Sequence, residues 1–305
     1  MNVRILNFFS PLYFVTWIFY LLMRLLALLP HHLQISIGKI LGKIIHIFAR
    51  KRRKIADSNI KICFPRLNQE EKINLRKKHF ECLGISLTEL SMAWFGSKEK
   101  IRSLIKINGK ENLEIALSKG KGVILFCGHF TTFEFFFPAL ESVYPKISAM
   151  YRSQKNELLN KIMTKGRERS IDHLYPEENV RDMIKSLSNN YIVWYAPDQS
   201  YQQKYSSLIN FFGIPTMTNT ATSRIAKISG AAVLTYFCKR LPNNKGYILD
   251  IGKPIKNFPT GNINLDTQYL MDELQSYIKE CPEQYNWIHR KFKGSPKPYS
   301  NLYNK

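Results

Sequence analysis

Residues 123–134 read VILFCGHFTTFE, and this stretch decides how the rest of the chain is interpreted. Its first five residues, 123–127, form a short apolar run that predicts a buried strand. Gly128 permits a tight turn, so His129 falls where the strand ends and a helix predicted over 131–140 begins. Ligands of open α/β sheets bind at this end of the strands, which makes His129 a candidate for chemistry.

Short apolar runs alternate with helical periodicity through the remainder of the chain. Strands are predicted at 123–127, 147–151, 191–196, 231–237 and 247–251. Helices are predicted at 131–140, 157–169, 178–187, 218–228 and 266–280. A further long helix is predicted after Asn68, because Glu71 three residues on completes an N-cap signature. The alternation predicts an α/β fold with a mixed, largely parallel sheet flanked by helices.

The composition excludes a disordered chain and implies acidic partners. The 305 residues are 45% hydrophobic, and 45 Lys and Arg against 23 Asp and Glu give a net charge of +22. Such an excess suits nucleic acid, anionic lipid, or an acidic substrate or partner protein. The 5 cysteines contain no C-x-x-C pair, which indicates neither a zinc site nor a disulfide framework and favours a reducing compartment. No motif indicates a metal or a cofactor.

The N-terminal segment is apolar and basic. Residues 8–29 are just long enough to cross a bilayer, and Arg24 lies near the end of this stretch, where it can reach the interface. We therefore predict a membrane anchor over 1–30 and one soluble domain over 31–305. A buried helical hairpin is the alternative for the first segment.

The distribution of basic residues predicts the orientation of the chain. No acidic residue precedes Asp57, whereas residues 50–54 are all Arg or Lys. Positive charges after the apolar stretch outnumber the single Arg4 before it, which predicts that the domain lies on the cytoplasmic side. The basic run would then contact anionic headgroups.

His129 and Glu134 are the first candidate pair. A loop followed by one helical turn can bring them together, so that Glu134 accepts a hydrogen bond from one imidazole nitrogen. The other nitrogen would take a proton from a hydroxyl. In the alternative interpretation, Thr131 and Glu134 form a capping box and Glu134 only satisfies backbone N–H groups.

Further charged residues follow predicted strands and helices at the same edge of the sheet. Arg152 follows the strand at 147–151, Arg167 lies at the end of the next helix, and Asp198 follows the strand at 191–196. Asp198 is expected to hold Arg167 or another cation in place. In the alternative interpretation, Arg167 only complements the dipole of its helix and Asp198 only starts a turn.

Several motifs in the same order resemble the late acyltransferases of lipid A biosynthesis, the lauroyl- and myristoyl-type, Kdo-dependent enzymes of the Gram-negative inner membrane. They are NIKICFP at 59–65, GHFTTFE at 128–134, YRSQKN at 151–156, GRER at 166–169, WYAPDQSY at 194–201 and PEQYNWIHRKFK at 282–293. The His-x-x-x-x-Glu spacing alone is weak, whereas the last two motifs are selective.

The resemblance implies roles for particular residues. His129 corresponds to the general base of the family and Glu134 to its dyad partner. Arg167 and Asp198 correspond to active-site positions that bind substrate, and Arg152 to a ligand-binding cation.

The resemblance also implies fold, partners and location. The fold would be glycerolipid-acyltransferase-like, with an N-terminal membrane helix. The donor would be an acyl thioester of acyl carrier protein, and the acceptor a hydroxyl of a Kdo-bearing lipid A precursor. The enzyme would lie on anionic lipids of the bacterial inner membrane, with its catalytic domain on the cytoplasmic side.

Two other functions are compatible with parts of the sequence. A membrane-tethered nucleic-acid-binding protein suits the charge and the aromatic content of 13%, but no recognition motif is present and the basic run directly follows an apolar stretch. A glycerolipid or other glycolipid acyltransferase would use the same pair of residues, although PEQYNWIHR speaks against it. His289 in that motif is expected to face solvent or headgroups.

Overall fold

Helices cover both faces of a central sheet in the computed structural model, which describes residue 8 and residues 10–303. The helices are α1 (Phe14–Leu28), α2 (His31–Phe48), α3 (Arg50–Cys63), α4 (Gln69–Phe95), α5 (Lys98–Ser103), α6 (Lys110–Leu117), α7 (Phe137–Val143), α8 (Glu157–Arg167), α9 (Val180–Ser188), α10 (Ala221–Ser229) and α11 (Ile263–Glu280). The strands are β1 (Ile105–Asn108), β2 (Val123–Phe126), β3 (Ile147–Tyr151), β4 (His173–Pro176), β5 (Ile192–Tyr195), β6 (Ser206–Phe211), β7 (Ile214–Asn219), β8 (Ala232–Arg240) and β9 (Tyr247–Ile251).

The sheet is mixed and largely parallel, as predicted. Its 7 strands have the order β1-β9-β8-β2-β5-β3-β4, and among these neighbours β8 and β9 run antiparallel. β2 lies in the middle and pairs in parallel with β5 on one side and β8 on the other. β6 and β7 form a separate antiparallel hairpin. A central strand covered on both faces must be apolar throughout, which explains the run from Val123 to Phe126.

Alternating side chains of β2 enter two different parts of the core. Ile124 and Phe126 belong to the cluster that also contains side chains of α9, α10 and α11. Val123 and Leu125 belong to the cluster that contains side chains of α5, α6 and α7. Since successive strand residues point to opposite faces, one short strand anchors both layers and fixes the position of the residues after it.

All five predicted strands are present, but edge strands and helix ends were predicted less well. β1 and β4 lie at the two edges of the sheet and are only half-buried, so their apolar signal is weak. The predicted helix at 218–228 begins later, at Ala221, because the residues before it belong to the β6–β7 hairpin. The predicted helix at 131–140 is a 3-10 turn over Phe133–Phe136 followed by α7.

Three helices at the N-terminal end pack closely. The predicted N-cap is confirmed, because the side chains of Asn68 and Glu71 each accept a hydrogen bond from the other's backbone N–H at the start of α4. α2 crosses α4 where Gly38 and Gly42 meet Gly84, and a Cβ atom on Gly84 would lie 2.1 Å from the carbonyl oxygen of Gly38. Only glycine permits this approach of the two backbones.

The apolar stretch near the N-terminus is exposed on one side. Residues 11–28 are long and apolar enough to cross a membrane, with a mean hydropathy of 1.7, and only 11% of this stretch is buried. The alternative of a buried hairpin is therefore not supported for α1. Arg4, one of the charges on which the predicted orientation depends, lies outside the described residues.

Candidate active site

The register of the two central strands brings His129 and Asp198 together. β2 pairs with β5 so that Phe126 lies opposite Tyr195, and each of these strand ends is followed by a three-residue segment. His129 is the third residue after β2 and Asp198 the third after β5. Two parallel neighbours with equal extensions deliver both side chains to the same point of the carboxyl edge of the sheet.

The carboxylate of Asp198 holds both the backbone and the ring of His129. The Nδ1 atom of His129 lies 2.5 Å from Oδ1 of Asp198, and the backbone N–H of His129 donates to Oδ2 at 3.0 Å. Asp198 is 1% exposed, whereas the side chain of His129 is 26% exposed. With Nδ1 directed to the carboxylate, Nε2 is the nitrogen that can accept a proton from a ligand.

The C-terminal motif fixes this arrangement from the other side. The hydroxyl of Tyr285 donates to Oδ2 of Asp198 at 2.8 Å. The backbone N–H of Asn286 donates to the carbonyl of His129, and that of Thr131 donates to the carbonyl of Gln284. The selective PEQYNWIHR motif therefore supports the loop that carries His129, a role that the sequence did not reveal.

Glu134 pairs with Arg167. The Nε atom of Arg167 donates to Oε1 of Glu134 at 2.8 Å, and its terminal nitrogen donates to the same oxygen. Both side chains are mostly buried. The 3-10 turn at Phe133–Phe136 directs Glu134 to the end of α8, where Arg167 is the last residue.

The predicted pairing of His129 with Glu134 is therefore wrong, and of the partners predicted for Asp198, which were Arg167 or another cation, Arg167 is not the one it holds. Among the described residues no hydrogen bond joins His129 to Glu134, and Asp198 holds His129 instead of Arg167. The reason is the chain path: the strand register carries Asp198 to the imidazole, whereas the 3-10 turn carries Glu134 away to Arg167. The capping-box alternative is also wrong, because the hydroxyl of Thr131 is buried with no hydrogen-bond partner in the described part of the chain.

His129 lies between two cavities. The smaller one, of about 270 Å³, has mostly apolar walls that include Phe133, Phe137 and Trp194, and Arg167 also lines it. The larger one, of about 1130 Å³, has mixed walls that include Arg224 and Gln199. Both cavities are also lined by Arg152.

Arg152 lies at an open position. Its side chain is 84% exposed, and its Nε atom is 3.7 Å from Oε1 of Glu177. The structure thus brings Arg152 to the smaller cavity together with His129 and Arg167, as predicted from the end of β3. A weak contact to Glu177 leaves the guanidinium able to turn toward an anionic ligand.

Three consecutive phenylalanines divide between core and cavity. Phe135 and Phe136 are fully buried in the core, whereas Phe137 lines the smaller cavity. The smaller cavity is therefore shaped by the start of α7.

The electrostatics keep Asp198 ionised. Burial by itself raises the pKa of Asp198, but the neighbouring His129 and its hydrogen bonds outweigh this and lower the pKa to about 2. Lys291 is a second cation near this carboxylate: it is 2% exposed, and burial lowers its pKa to about 8 against the attraction of Asp198. Its Nζ atom has no hydrogen-bond partner among the described residues and lies 4.8 Å from the ring centre of Phe211.

His289 is a site residue whose position was predicted wrongly. Its ring centre lies 6.3 Å from that of His129, and the side chain is half-buried instead of facing solvent. Burial and the nearby His129 lower its pKa. The backbone carbonyl of His289 accepts a hydrogen bond from Asn59 of α3, which draws the loop inward. The adjacent Arg290 and Lys291 favour an exposed position for His289 in the sequence. The contact with α3 in the folded chain makes the side chain half-buried.

No metal centre accompanies the site: residue 8 and residues 10–303 contain no group of three His, Cys, Asp or Glu side chains able to hold an ion.

Residues 5–294 match the family described as bacterial lipid A biosynthesis acyltransferase. The chain belongs to this family. It is 33% identical over 298 residues to a lipid A biosynthesis palmitoleoyltransferase of Escherichia coli (strain K12), with 97% of each chain covered. It is 31% identical over 294 residues to a lipid A biosynthesis lauroyltransferase of the same organism, with 96% of each covered. A lipid A biosynthesis myristoyltransferase of that organism is 22% identical over 298 residues, covering 96% of this chain and 92% of the relative.

The resemblance inferred from the motifs is thereby confirmed. This lipid A acyltransferase is an enzyme, and its substrates are a lipid A molecule and an acyl donor. Membrane association is consistent with this pathway and with the apolar residues 11–28.

Proposed function

We propose that the enzyme transfers an acyl chain from an acyl carrier protein thioester to a hydroxyl of a Kdo-bearing lipid A precursor, with His129 as the general base. The observation that carries this proposal is the hydrogen bond between Nδ1 of His129 and Asp198, which leaves Nε2 directed to the cavities. A hydroxyl is a poor nucleophile at neutral pH and needs a base within hydrogen-bond reach.

The proposed reaction balances without a cofactor. Nε2 of His129 takes the proton of the acceptor hydroxyl as its oxygen attacks the thioester carbon. The carbon–sulfur bond breaks, and the imidazolium returns the proton to the departing sulfur, so that an ester and a thiol are formed. The ionised Asp198 stabilises the imidazolium between these steps, because the two charges lie close together in a buried site.

Glu134 contributes through Arg167 in this proposal. Two nitrogens of Arg167 donate to Glu134, which fixes the guanidinium at the wall of the smaller cavity. Its remaining N–H groups then have a defined direction. Preoriented donors of this kind stabilise the negative charge that develops on the thioester oxygen. Glu134 and Asp198 are thus both part of the machinery, each holding a different partner.

The two cavities suit the two substrates. The apolar walls of the smaller cavity favour the acyl chain of the donor, and its depth at Phe137 would limit the chain length. The larger cavity favours the acceptor headgroup, because Arg152 and Arg224 can pair with phosphate or carboxylate. Both cavities meet at His129, which is where hydroxyl and thioester must come together. A His-x-x-x-x-acid segment directly after a buried central strand also supports placing the fold with the glycerolipid acyltransferases.

The proposed partners are all acidic, in keeping with the net charge of +22. The carrier protein, the Kdo-bearing acceptor and the lipids of the inner membrane would meet one basic surface. The chain is proposed to lie on the cytoplasmic side of the bacterial inner membrane, since its basic run at 50–54 complements the anionic headgroups of the cytoplasmic leaflet. Residues 1–30 would hold it there and residues 31–305 would form the acyltransferase domain.

The test of this function is an assay with purified substrates. Membranes containing the enzyme are given acyl carrier protein thioesters of different chain lengths together with a lipid A precursor, with or without Kdo. We expect transfer that requires Kdo and prefers one range of chain lengths. Transfer from other thioesters at equal rate, or to a precursor without Kdo, would contradict the proposed substrates.

Ionic strength provides a second test of the donor. Attraction between exposed charges is screened over about 10 Å at 0.1 M salt. With limiting acyl carrier protein thioester and saturating acceptor, the rate is expected to fall as salt rises. The same donor chain presented on a small neutral thiol is the control and should show little change. A flat response with the carrier protein would contradict a charge-guided encounter.

A further inference from the structure

The first helix is attached to the catalytic domain at both of its ends. Near its start, Thr16 accepts a hydrogen bond from Asn156 at the beginning of α8, with 2.9 Å between the atoms. Near its end, the hydroxyl of Ser91 in α4 donates to the carbonyl of Met23. α1 therefore lies along the domain instead of projecting away from it.

Phe8, which precedes α1, also contacts the domain. The Nζ atom of Lys161 in α8 lies 5.5 Å from the ring centre of Phe8, which is 4% exposed. If α1 crossed the bilayer, Phe8 and the C-terminal end of α1 would lie at opposite faces of the membrane. The charged side of α8, which contacts Phe8, would then be drawn into the hydrocarbon. Burying a charge in the hydrocarbon is strongly unfavourable.

The outward side of residues 11–28 exposes large apolar side chains, namely Leu12, Phe14, Val15, Ile18, Leu21, Leu22, Leu25 and Leu28.

The second helix has three distinct faces. One face packs on α4 through its buried residues, which include Ile35, Gly38 and Gly42. A second face exposes the apolar side chains of Leu33, Ile40, Ile44, Ile47 and Phe48. At about 3.6 residues per turn these five positions fall on one stripe. Along one border of that stripe lie the exposed Lys39 and Lys43.

Apolar faces bordered by lysines are typical of helices that lie in the membrane interface. Lys39 and Lys43, together with the exposed start of α3 at 50–54, complement anionic headgroups. No acidic residue interrupts this surface before Asp57. We infer that α1 and α2 together lie in the interfacial region of one leaflet of an anionic bilayer, parallel to its plane, and that α1 does not cross it.

This surface extends the membrane contact beyond residue 30 and toward the active site. Arg52 of α3 donates to the carbonyl of Ile288, and Asn59 of α3 donates to the carbonyl of His289. The headgroup-facing start of α3 therefore contacts the loop beside His129. A lipid acceptor could enter from the same leaflet; this last step rests on the proposed function, whereas the position of the helices does not.

The topology is tested with a cysteine at position 2 of the full-length protein, since all 5 native cysteines are buried. A membrane-impermeant maleimide should leave it unlabelled in intact spheroplasts and label it in inverted membrane vesicles. The exposed Glu111→Cys on α6 serves as the control for the domain side. Labelling of position 2 from outside in spheroplasts would overturn the inference, because it would mean that α1 crosses the bilayer.

The depth of α2 is tested with an environment-sensitive fluorophore on Ile44→Cys. The matched control is Ile115→Cys on α6, since the two isoleucines are 46% and 57% exposed. In phosphatidylglycerol vesicles the probe at position 44 should emit as in an apolar medium and be quenched by lipid-borne quenchers, whereas the control should not.

Equal, water-like emission at both positions would overturn the inference. So would an apolar signal lost on dilution into excess lipid, since this indicates a second copy of the chain. Transfer activity measured in parallel separates failure of the proposed function from either result.

Discussion

Asp198 accepts two hydrogen bonds from His129, one from the ring nitrogen Nδ1 at 2.5 Å and one from the backbone N–H at 3.0 Å. One carboxylate therefore fixes the loop that carries the imidazole and the orientation of the imidazole itself. Because Asp198 is buried and Tyr285 donates to its second oxygen, the carboxylate has little freedom to move. Nε2 of His129 is thereby held toward the cavities in one tautomer.

The first prediction separates the two carboxylates. Asp198→Asn keeps the size of the side chain but removes the charge that stabilises an imidazolium, so transfer should fall by about 10² to 10⁴. Glu134→Gln keeps an oxygen acceptor for Arg167 and should reduce the rate less. Initial rates of both variants are compared at equal folded fraction. A larger loss for Glu134→Gln than for Asp198→Asn would show that Glu134 acts more directly on the base.

The second prediction concerns the planar head group of Arg167. Lysine retains the charge but cannot donate to Glu134 from two nitrogens held in one plane, so Arg167→Lys should lower kcat more than it raises KM. Arg169→Lys is the matched control, because Arg169 lies just after the same helix and donates to the carbonyl of Gly96. Equal kinetics for both variants would indicate that Arg167 has only a structural role at the end of α8.

The third prediction uses the buried Lys291. Its positive charge lowers the pKa of Asp198 and so helps to keep this carboxylate ionised. Lys291→Met should therefore move the acidic limb of the pH–rate profile to higher pH, because Asp198 is then protonated at a higher pH and loses the charge that stabilises the imidazolium. The exposed Lys293→Met is the control and should leave the profile unchanged. A profile of Lys291→Met that coincides with the wild type would exclude an electrostatic role.

The fourth prediction concerns stability in acid. Burial of His79 lowers its pKa to about 4, although the carbonyl of Glu283 opposes this, whereas the pKa of a histidine in the unfolded chain is near the ordinary value of 6.5. The unfolded state thus binds a proton first, and the contribution of His79 is complete above pH 6.5 and is lost as the pH falls toward 4. The loss is on the order of 3 kcal/mol. It is measured as the free energy of unfolding of the full-length protein in detergent.

The control for this acid sensitivity is a comparison of two variants. His79→Phe should have a smaller dependence on pH between 6.5 and 4 than the wild type. His173→Phe, at an exposed position of β4, should keep the dependence of the wild type. If the free energy of unfolding of His79→Phe depended on pH as that of the wild type does, another group would cause the acid sensitivity.

The central part of the fold was predictable because its strands are buried on both faces. The apolar runs at β2, β3, β5, β8 and β9 are visible in the sequence without knowing their neighbours. β1 and β4 were missed because edge strands need fewer apolar residues. Ends of helices were misplaced where a hairpin or a 3-10 turn competes with the same residues, as at Thr218 and Glu134.

The residues of the site were predictable one by one, but their pairing was not. His129, Glu134, Arg167 and Asp198 all carry charge or titratable groups at the ends of predicted elements. Which carboxylate reaches the imidazole depends on the register of β2 against β5, and the sequence does not state that register. A useful signal was nevertheless present: VILFCGH and IVWYAPD each place the charged residue three positions after the strand. Tyr285 and His289 carried no such signal, because their segment is distant in the sequence and reaches the site only in the folded chain.

The most direct test of the account is the rate of acyl transfer by His129→Ala. The full-length variant and the wild type are supplied with the same acyl carrier protein thioester and Kdo-bearing lipid A precursor. His173→Ala on the exposed edge strand serves as the control. Loss of a positioned base should lower the rate by about 10² to 10⁴, with unchanged membrane association and thermal stability, while the control stays near the wild-type rate. Transfer by His129→Ala within a few-fold of the wild type would contradict the assignment of His129 as the base.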